Sequence, residues 1–325
     1  MKKLVKMIVS TLLIGAMALS FCACAGKGGK KEGGLIKVGI INNDPNESGY
    51  RTANDRDMKA TFTKENGYDP YFYYSLKNEE QIAAAQKFIQ DDVDYLLISA
   101  AGTSGWDGVL EQAKKAGIKV ILFDRTIDAS EDLYEASIVS DMAKEGEQAV
   151  SWLASQNLSE YKIIHIQGVM GSSAQIGRSG ALDTKVAAEA NWTIVQQQTA
   201  EWSEETAQQI TQAVIDSGES FNVIYAENDG MAKGAVAALD EHGITHGVGG
   251  QVVVMGFDCN KWALRELKDG AWNYDGQCSP FQAQIISDLI KGVNTTSDKI
   301  IINEEKGFDA TTITDSDIEK YGLGE

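Results

Sequence analysis

From Leu35 onward the chain alternates short, continuous apolar runs with longer stretches in which apolar residues recur every three or four positions. An apolar run without polar alternation fits a strand buried on both faces, and the longer stretches fit helices with one apolar side. Strands and helices in strict alternation point to parallel sheets with helices packed on both faces. The pattern predicts strands at 36–41, 71–74, 95–99 and 120–124, with helices near 49–66, 78–90 and 105–116 between them. After a further strand at 138–139 the cycle restarts. Helices at 142–155, 204–217, 231–242 and 261–268, with one ending near 190, alternate with strands at 162–166, 193–197, 223–226, 252–257 and 272–277. Two such cycles in 325 residues mean two similar lobes. Pro280, one of only three prolines, marks a break, after which a helix at 281–291 and extended segments at 299–303 and 308–313 return to the sheets.

The first 34 residues stand apart. Lys2, Lys3 and Lys6 precede the apolar run 7–21, which ends in Cys22-Ala23-Cys24. A basic head and an apolar stretch too short to span a bilayer comfortably form an export signal rather than a transmembrane helix. It resembles a bacterial lipoprotein signal at residues 1–24, with Cys24 after Ala23 the better lipid acceptor than Cys22 after Phe21. Residues 25–34, rich in Gly and Lys, form a flexible tether. The first 31 residues hold six lysines and no acid, so the remainder carries a formal charge of −24. Such an acidic body argues against nucleic acid and against peripheral binding to anionic lipid. Beyond the signal only Cys259 and Cys278 remain; they either pair or stay free, and with three histidines at unrelated spacing they do not make a zinc site.

In parallel α/β sheets ligands bind beyond the carboxyl ends of the strands. The apolar run 120–123 ends on Asp124-Arg125, and the other strand ends carry the same kinds of group: Asn43 to Arg51, Gln167 to Arg178, Asn228-Asp229, Asp258 and Gln277, with Tyr50 and Trp202 nearby. Acids, amides and arginines both donate to and accept from hydroxyls, and an aromatic ring covers the C–H face of a sugar. The segments ESGYR (47–51), DRTID (124–128), QGVMGSSAQIGR (167–178), YAENDGMAKGA (225–235) and GFD (256–258) stand in an order and spacing that resembles the type I periplasmic sugar-binding proteins of ABC importers, closest to the galactofuranose-binding branch.

That resemblance implies two Rossmann-like, doubly wound parallel-sheet lobes joined by a three-crossover hinge. The lobes would comprise 35–139 with 280–303, and 140–279 with 304–325. It implies a monomeric, lipid-anchored protein outside the cytoplasmic membrane that captures a monosaccharide and delivers it to ABC permease subunits, without cofactor or metal. A sensor presenting sugar to a chemoreceptor or kinase is the alternative. Ligand contacts carried over by motif fall on Glu47, Tyr50, Arg51, Asp124 and Arg125 in one lobe, and on Arg178, Trp202, Asn228, Asp258 and Gln277 in the other. Tyr50 stands where the branch usually has Trp, Glu227 where the family often has an uncharged residue or His, and Gln277 where the branch has Glu. Against an enzyme, the chain lacks a G-x-S-x-G elbow, a G-x-G-x-x-G turn after a strand and a phosphate-binding loop. His165 reads as a core histidine, and Asp124 and Asp258, each beside arginine or amide groups, read as two ionised carboxylates rather than a catalytic acid pair.

Overall fold

The computed structural model describes residues 34–293 and 298–324. Cys24, the predicted signal and all but the last residue of the tether lie outside the described residues. In chain order the first cycle is β1 (Ile36–Asn42), α1 (Gly49–Thr61), β2 (Tyr68–Tyr74), α2 (Asn78–Gln90), β3 (Tyr95–Ile98), α3 (Asp107–Ala116), β4 (Lys119–Asp124) and β5 (Ala136–Val139). The second is α4 (Met142–Ser155), β6 (Tyr161–Gln167), α5 (Ser173–Ala188), β7 (Trp192–Thr199), α6 (Glu204–Ser217), β8 (Val223–Ala226), α7 (Asp229–Glu241), β9 (Val253–Asp258), α8 (Lys261–Lys268) and β10 (Tyr274–Gln277). The chain ends with α9 (Ala283–Lys291), β11 (Ile300–Ile302), β12 (Gly307–Asp309) and α10 (Asp315–Tyr321).

These strands build two six-stranded sheets, ordered β2-β1-β3-β4-β5-β11 and β7-β6-β8-β9-β10-β12. All pairings are parallel except β10 with β12. Strand order reverses direction between β1 and β3 in one sheet and between β6 and β8 in the other, which opens a crevice at each carboxyl end. The chain passes between the sheets three times: from β5 into α4, from β10 into α9, and from β11 into β12.

Each sheet is buried on both faces, which is why its strands read as unbroken apolar runs. Along β3, Leu96 and Ile98 join Phe88, Val109 and Leu110 of α2 and α3. Leu97 points the other way, with Met58 of α1 and Ile286 and Ile290 of α9. In the second sheet Ile164, Ile224 and Val254 meet the helices α6 to α8, while Ile163, Val223 and Met255 meet Leu153 and Leu182 of α4 and α5. Burying each such side chain contributes roughly 1.5–3 kcal/mol.

Two local expectations change. Helix α1 ends at Thr61 rather than near 66, because the Asn66 amide donates to the Thr61 carbonyl at 2.9 Å and closes the turn. The buried face of α2 runs through Gln81, Ala84, Ala85 and Phe88, with Ile82 and Ile89 half-buried at its edge. Gln81 is buried because its amide donates to the Ser75 carbonyl and accepts from the Ala101 N–H, tying two strand ends together. Helix α10 was not expected; the capping box Thr314–Asp317 is its sequence signal.

Candidate functional site

Asp124 and Asp258 close β4 and β9, which hold the same place in the two sheets, and both have left-handed backbones, with φ of 65° and 111°. An L-residue tolerates that conformation only where its surroundings hold it there. The consequence is that each carboxyl turns out of its strand into the crevice between the lobes.

Around Asp124 the first lobe is tightly wired. Ser48 caps α1 by accepting from the Arg51 N–H, which brings Tyr50 and Arg51 to the strand ends. The Tyr50 hydroxyl donates to Asp124 Oδ1 at 2.7 Å, and Arg51 Nη1 and Ser99 Oγ donate to Oδ2 at 2.5 and 2.6 Å. Arg51 Nε also donates to Glu47 Oε2 at 3.0 Å. Burial opposes the charge on Asp124, but Arg51 and Arg125 outweigh it and hold the carboxyl below its usual range. Arg125 lies beside Asp124 at 3.7 Å, donates to the Ala100 carbonyl, and has its guanidinium 5.8 Å from the centre of the Trp202 ring in the other lobe.

In the second lobe Arg178, on α5, is 2 % exposed. It donates to Glu145 Oε2 through Nε and Nη2 at 2.8 and 2.7 Å, and through Nη1 to the Glu227 carbonyl. Its distance to Asp258 is 3.8 Å, too long for a firm bond. Burial therefore dominates at Asp258, with Asp229 and Glu145 adding to it, and pushes its carboxyl well above the ordinary value. This corrects the expectation of two equally ionised aspartates. Asn228 caps α7, accepting from the Met231 N–H at 2.8 Å. Trp202, at φ 67°, packs where only Gly168 fits, since a Cβ there would fall 1.9 Å from the ring.

Between these groups lies a cavity partly open to solvent, with about 310 Å³ of empty space when the solvent-filled mouth is counted. Nine of the ten expected contacts line it: Glu47, Tyr50, Arg51, Asp124, Arg125, Arg178, Trp202, Asn228 and Asp258. Gln277 does not. It closes β10 half-buried, and the next residue, Cys278, takes the lining position because side chains alternate along an extended chain. Ser48, Met142 and Ala174 complete the wall. Both Cys259 and Cys278 are free thiols, so no disulfide joins them. His165 is fully buried as expected, but it is not apolar in its bonding, with Nε2 2.9 Å from Glu227 Oε1. Glu227 in turn accepts from the Gly168 N–H and from Ser179, so it braces the Gly168–Trp202 contact from beneath. Sequence reasoning missed Glu145, although a charged residue on the otherwise apolar stripe 142, 146, 149, 150, 153 of α4 is a readable signal.

Across the crevice the lobes touch directly. The Thr103 N–H donates to the Gly171 carbonyl at 3.1 Å, and the Thr126 N–H donates to Ser173 Oγ at 3.3 Å. The structure is therefore that of closed lobes. Within the cavity wall the charges are matched by protein partners, Arg51 by Glu47 and Asp124, and Arg178 by Glu145. Yet three buried polar atoms of lining residues have no hydrogen-bond partner: Glu47 Oε1, Arg125 Nε and Trp202 Nε1. Unpaired buried groups are costly, and here they are an acceptor and two donors on residues that line one cavity.

The sequence profile of a family described as a periplasmic binding protein domain matches residues 38–291. The chain is 31% identical over 323 residues to the fructose import binding protein FruE of Bifidobacterium longum, covering 96% of this chain and 95% of that protein. It is 27% identical to the galactofuranose-binding protein YtfQ of Escherichia coli, over 73% of this chain and 76% of that one. Among solved structures, the binding component of the arabinose ABC transporter from Shewanella sp. ANA-3, bound to α- and β-L-arabinofuranose, superposes with a TM-score of 0.78. It is 29% identical and the match covers 88% of this chain and 95% of that one.

Proposed function

The chain belongs to the periplasmic binding proteins of the type I sugar-binding class, and on that premise we propose that it captures one neutral monosaccharide between its lobes and delivers it to the permease of an ABC importer. The observation that carries the reading is the set of unpartnered atoms in a charge-matched cavity. Glu47 Oε1 seeks a donor and Arg125 Nε and Trp202 Nε1 seek acceptors, which is what a hydroxyl-bearing ligand supplies. A charged sugar would meet no surplus opposite charge. The relatives named for fructose, galactofuranose and L-arabinofuranose support free ketoses and aldoses, furanose forms included, as the ligand class. We assign the lobes to 35–139 with 280–303 and 140–279 with 304–325, divided where the chain crosses between the sheets.

A thermal-shift screen over D-fructose, D-galactose, L-arabinose, D-ribose and D-xylose tests this. One or two of them are expected to stabilise the protein, by about 2.7 kcal/mol at 100 times the dissociation constant. A response only to sugar acids, or hydrolysis of glycosides, would sink the reading. Anchoring through Cys24 is part of the same proposal: Cys24→Ser is expected to release the protein from the membrane fraction or stall its processing. Release by Cys22→Ser and not by Cys24→Ser would place the lipid on the wrong cysteine.

A further inference from the structure

The three crossings between the lobes meet at one side chain. Glu305 lies on the third crossing, and its Oε1 accepts from Ser140 Oγ of the first at 2.7 Å and from the Ser279 N–H of the second at 2.6 Å. Its carboxyl also approaches Glu145 and the Cys278 thiol, with one ligand atom from each lying within 4.8 Å of the others. Glu145 gives Oε2 to Arg178, and its Oε1 is buried without a donor. A buried carboxylate and a half-buried one side by side repel, and the cation paired with Glu145, Arg178, is shared with Asp258. Among the described residues the other titratable groups near the pair are Cys278 beyond β10, Tyr274 within it, and Tyr225 and Asp258 at the ends of β8 and β9, none of which brings positive charge; Lys306 turns away to Asp317. A divalent cation would sit against the Arg178 guanidinium, whereas a proton on Glu305 supplies Glu145 with the donor it lacks.

We propose that Glu305 is a positioning residue for ligand capture: carrying a proton, it clamps the three crossings in the closed arrangement and, through Glu145, holds Arg178 at the cavity. Burial and the charge of Glu145 push its carboxyl up to about 9, so the clamp is intact at neutral pH. Above that value a second negative charge appears beside the buried Glu145, and separating the lobes is the motion that relieves it. The role rests on reading the cavity as the sugar site.

The test compares the full chain with Glu305→Gln and Glu305→Ala. Glutamine accepts from Ser140 and Ser279 and donates an N–H toward Glu145 at every pH. In infrared difference spectra, wild type minus Glu305→Gln at pH about 7 is expected to contain a protonated-carboxyl band that is lost as the pH passes about 9. Calorimetry with D-fructose, D-galactose and L-arabinose is expected to show wild-type affinity falling about tenfold or more between pH about 7.5 and 10. Glu305→Gln should change less than about threefold, and Glu305→Ala should bind weakly throughout. The Cys278 thiol, pushed well above its ordinary value by burial first and then by Glu145 and Glu305, is present in all three proteins. No band, or equal pH dependence in wild type and Glu305→Gln, overturns the proposal. If wild type binds neither these three sugars nor D-ribose or D-xylose, the sugar reading falls and this role with it, while the infrared band still reports on the shared proton.

Discussion

Asp124 and Arg125 were legible in the sequence because an apolar run that stops at a charged pair leaves the pair at a strand end. Cys278 was not, because a site one residue beyond a strand end depends on pleat parity, and an error of one residue exchanges it for Gln277. The balance at Asp258 was also hidden, since it depends on a 3.8 Å separation from Arg178 that no motif encodes. Removing one partner of a buried charge-assisted pair costs about 2–5 kcal/mol. Arg125→Ala, which strips a cation from Asp124 and the stacking partner of Trp202, and Asp258→Ala are each expected to weaken sugar binding by about thirtyfold or more. Lys115→Ala, on the exposed side of α3, should leave affinity within about threefold. Calorimetry gives the affinities, and a cooperative melt for each variant would show that the loss lies at the site.

Helix α7 and strand β10 are joined by a second carboxyl pair. Asp229, the first residue of α7, holds Asn260 through Oδ2, while its Oδ1 and the Oδ2 of Asp275 are both buried without other partners. Burial first, and the neighbouring Asp258, push Asp275 up to about 7, and Asp229 is raised with it. A free aspartate titrates near 3.9, so between about 4 and 7 the native state binds more protons than the unfolded chain. This contribution to stability is full below about 4 and falls as the pH rises through about 7. Asp275→Asn removes the titration, so the melting temperature of the variant relative to wild type should climb across that window and level off above it. A difference that shrinks with rising pH would show the sign to be wrong. Among the elements themselves, α2, α4, α6, β8 and α8 end where the periodicity put them, because Gly or polar caps punctuate both sides. β12 is shorter than expected, since Asp309 turns back to cap the Thr311 N–H and stops the strand.

Closure of the whole molecule depends on a few close approaches. Gly49, at the start of α1, faces Asn260 across the crevice so tightly that a Cβ would fall 1.8 Å from Asn260 Oδ1. Asn260 cannot simply swing aside, because its backbone N–H and its amide both donate to Asp229. Gly49→Ala is therefore expected to leave each lobe folded, weaken sugar affinity by about tenfold or more, and keep the molecule expanded in small-angle scattering at saturating sugar. Normal compaction with unchanged affinity would mean that the contact yields at no cost.

The sequence by itself determined the architecture and most of the cavity wall. Strand and helix periodicities are local properties, and a parallel sheet puts its ligand groups at strand ends wherever those ends fall. Only the tertiary structure decided which of those groups carry charge, which polar atoms are left for a ligand, and that Glu145, Ser140, Ser279 and Glu305 meet at the hinge. Ser140, Ser279 and Glu305 lie on separate crossings up to 165 positions apart. Their protonation and bonding depend on a few tenths of an ångström and on burial from all sides, and neither is a property of any one stretch of chain.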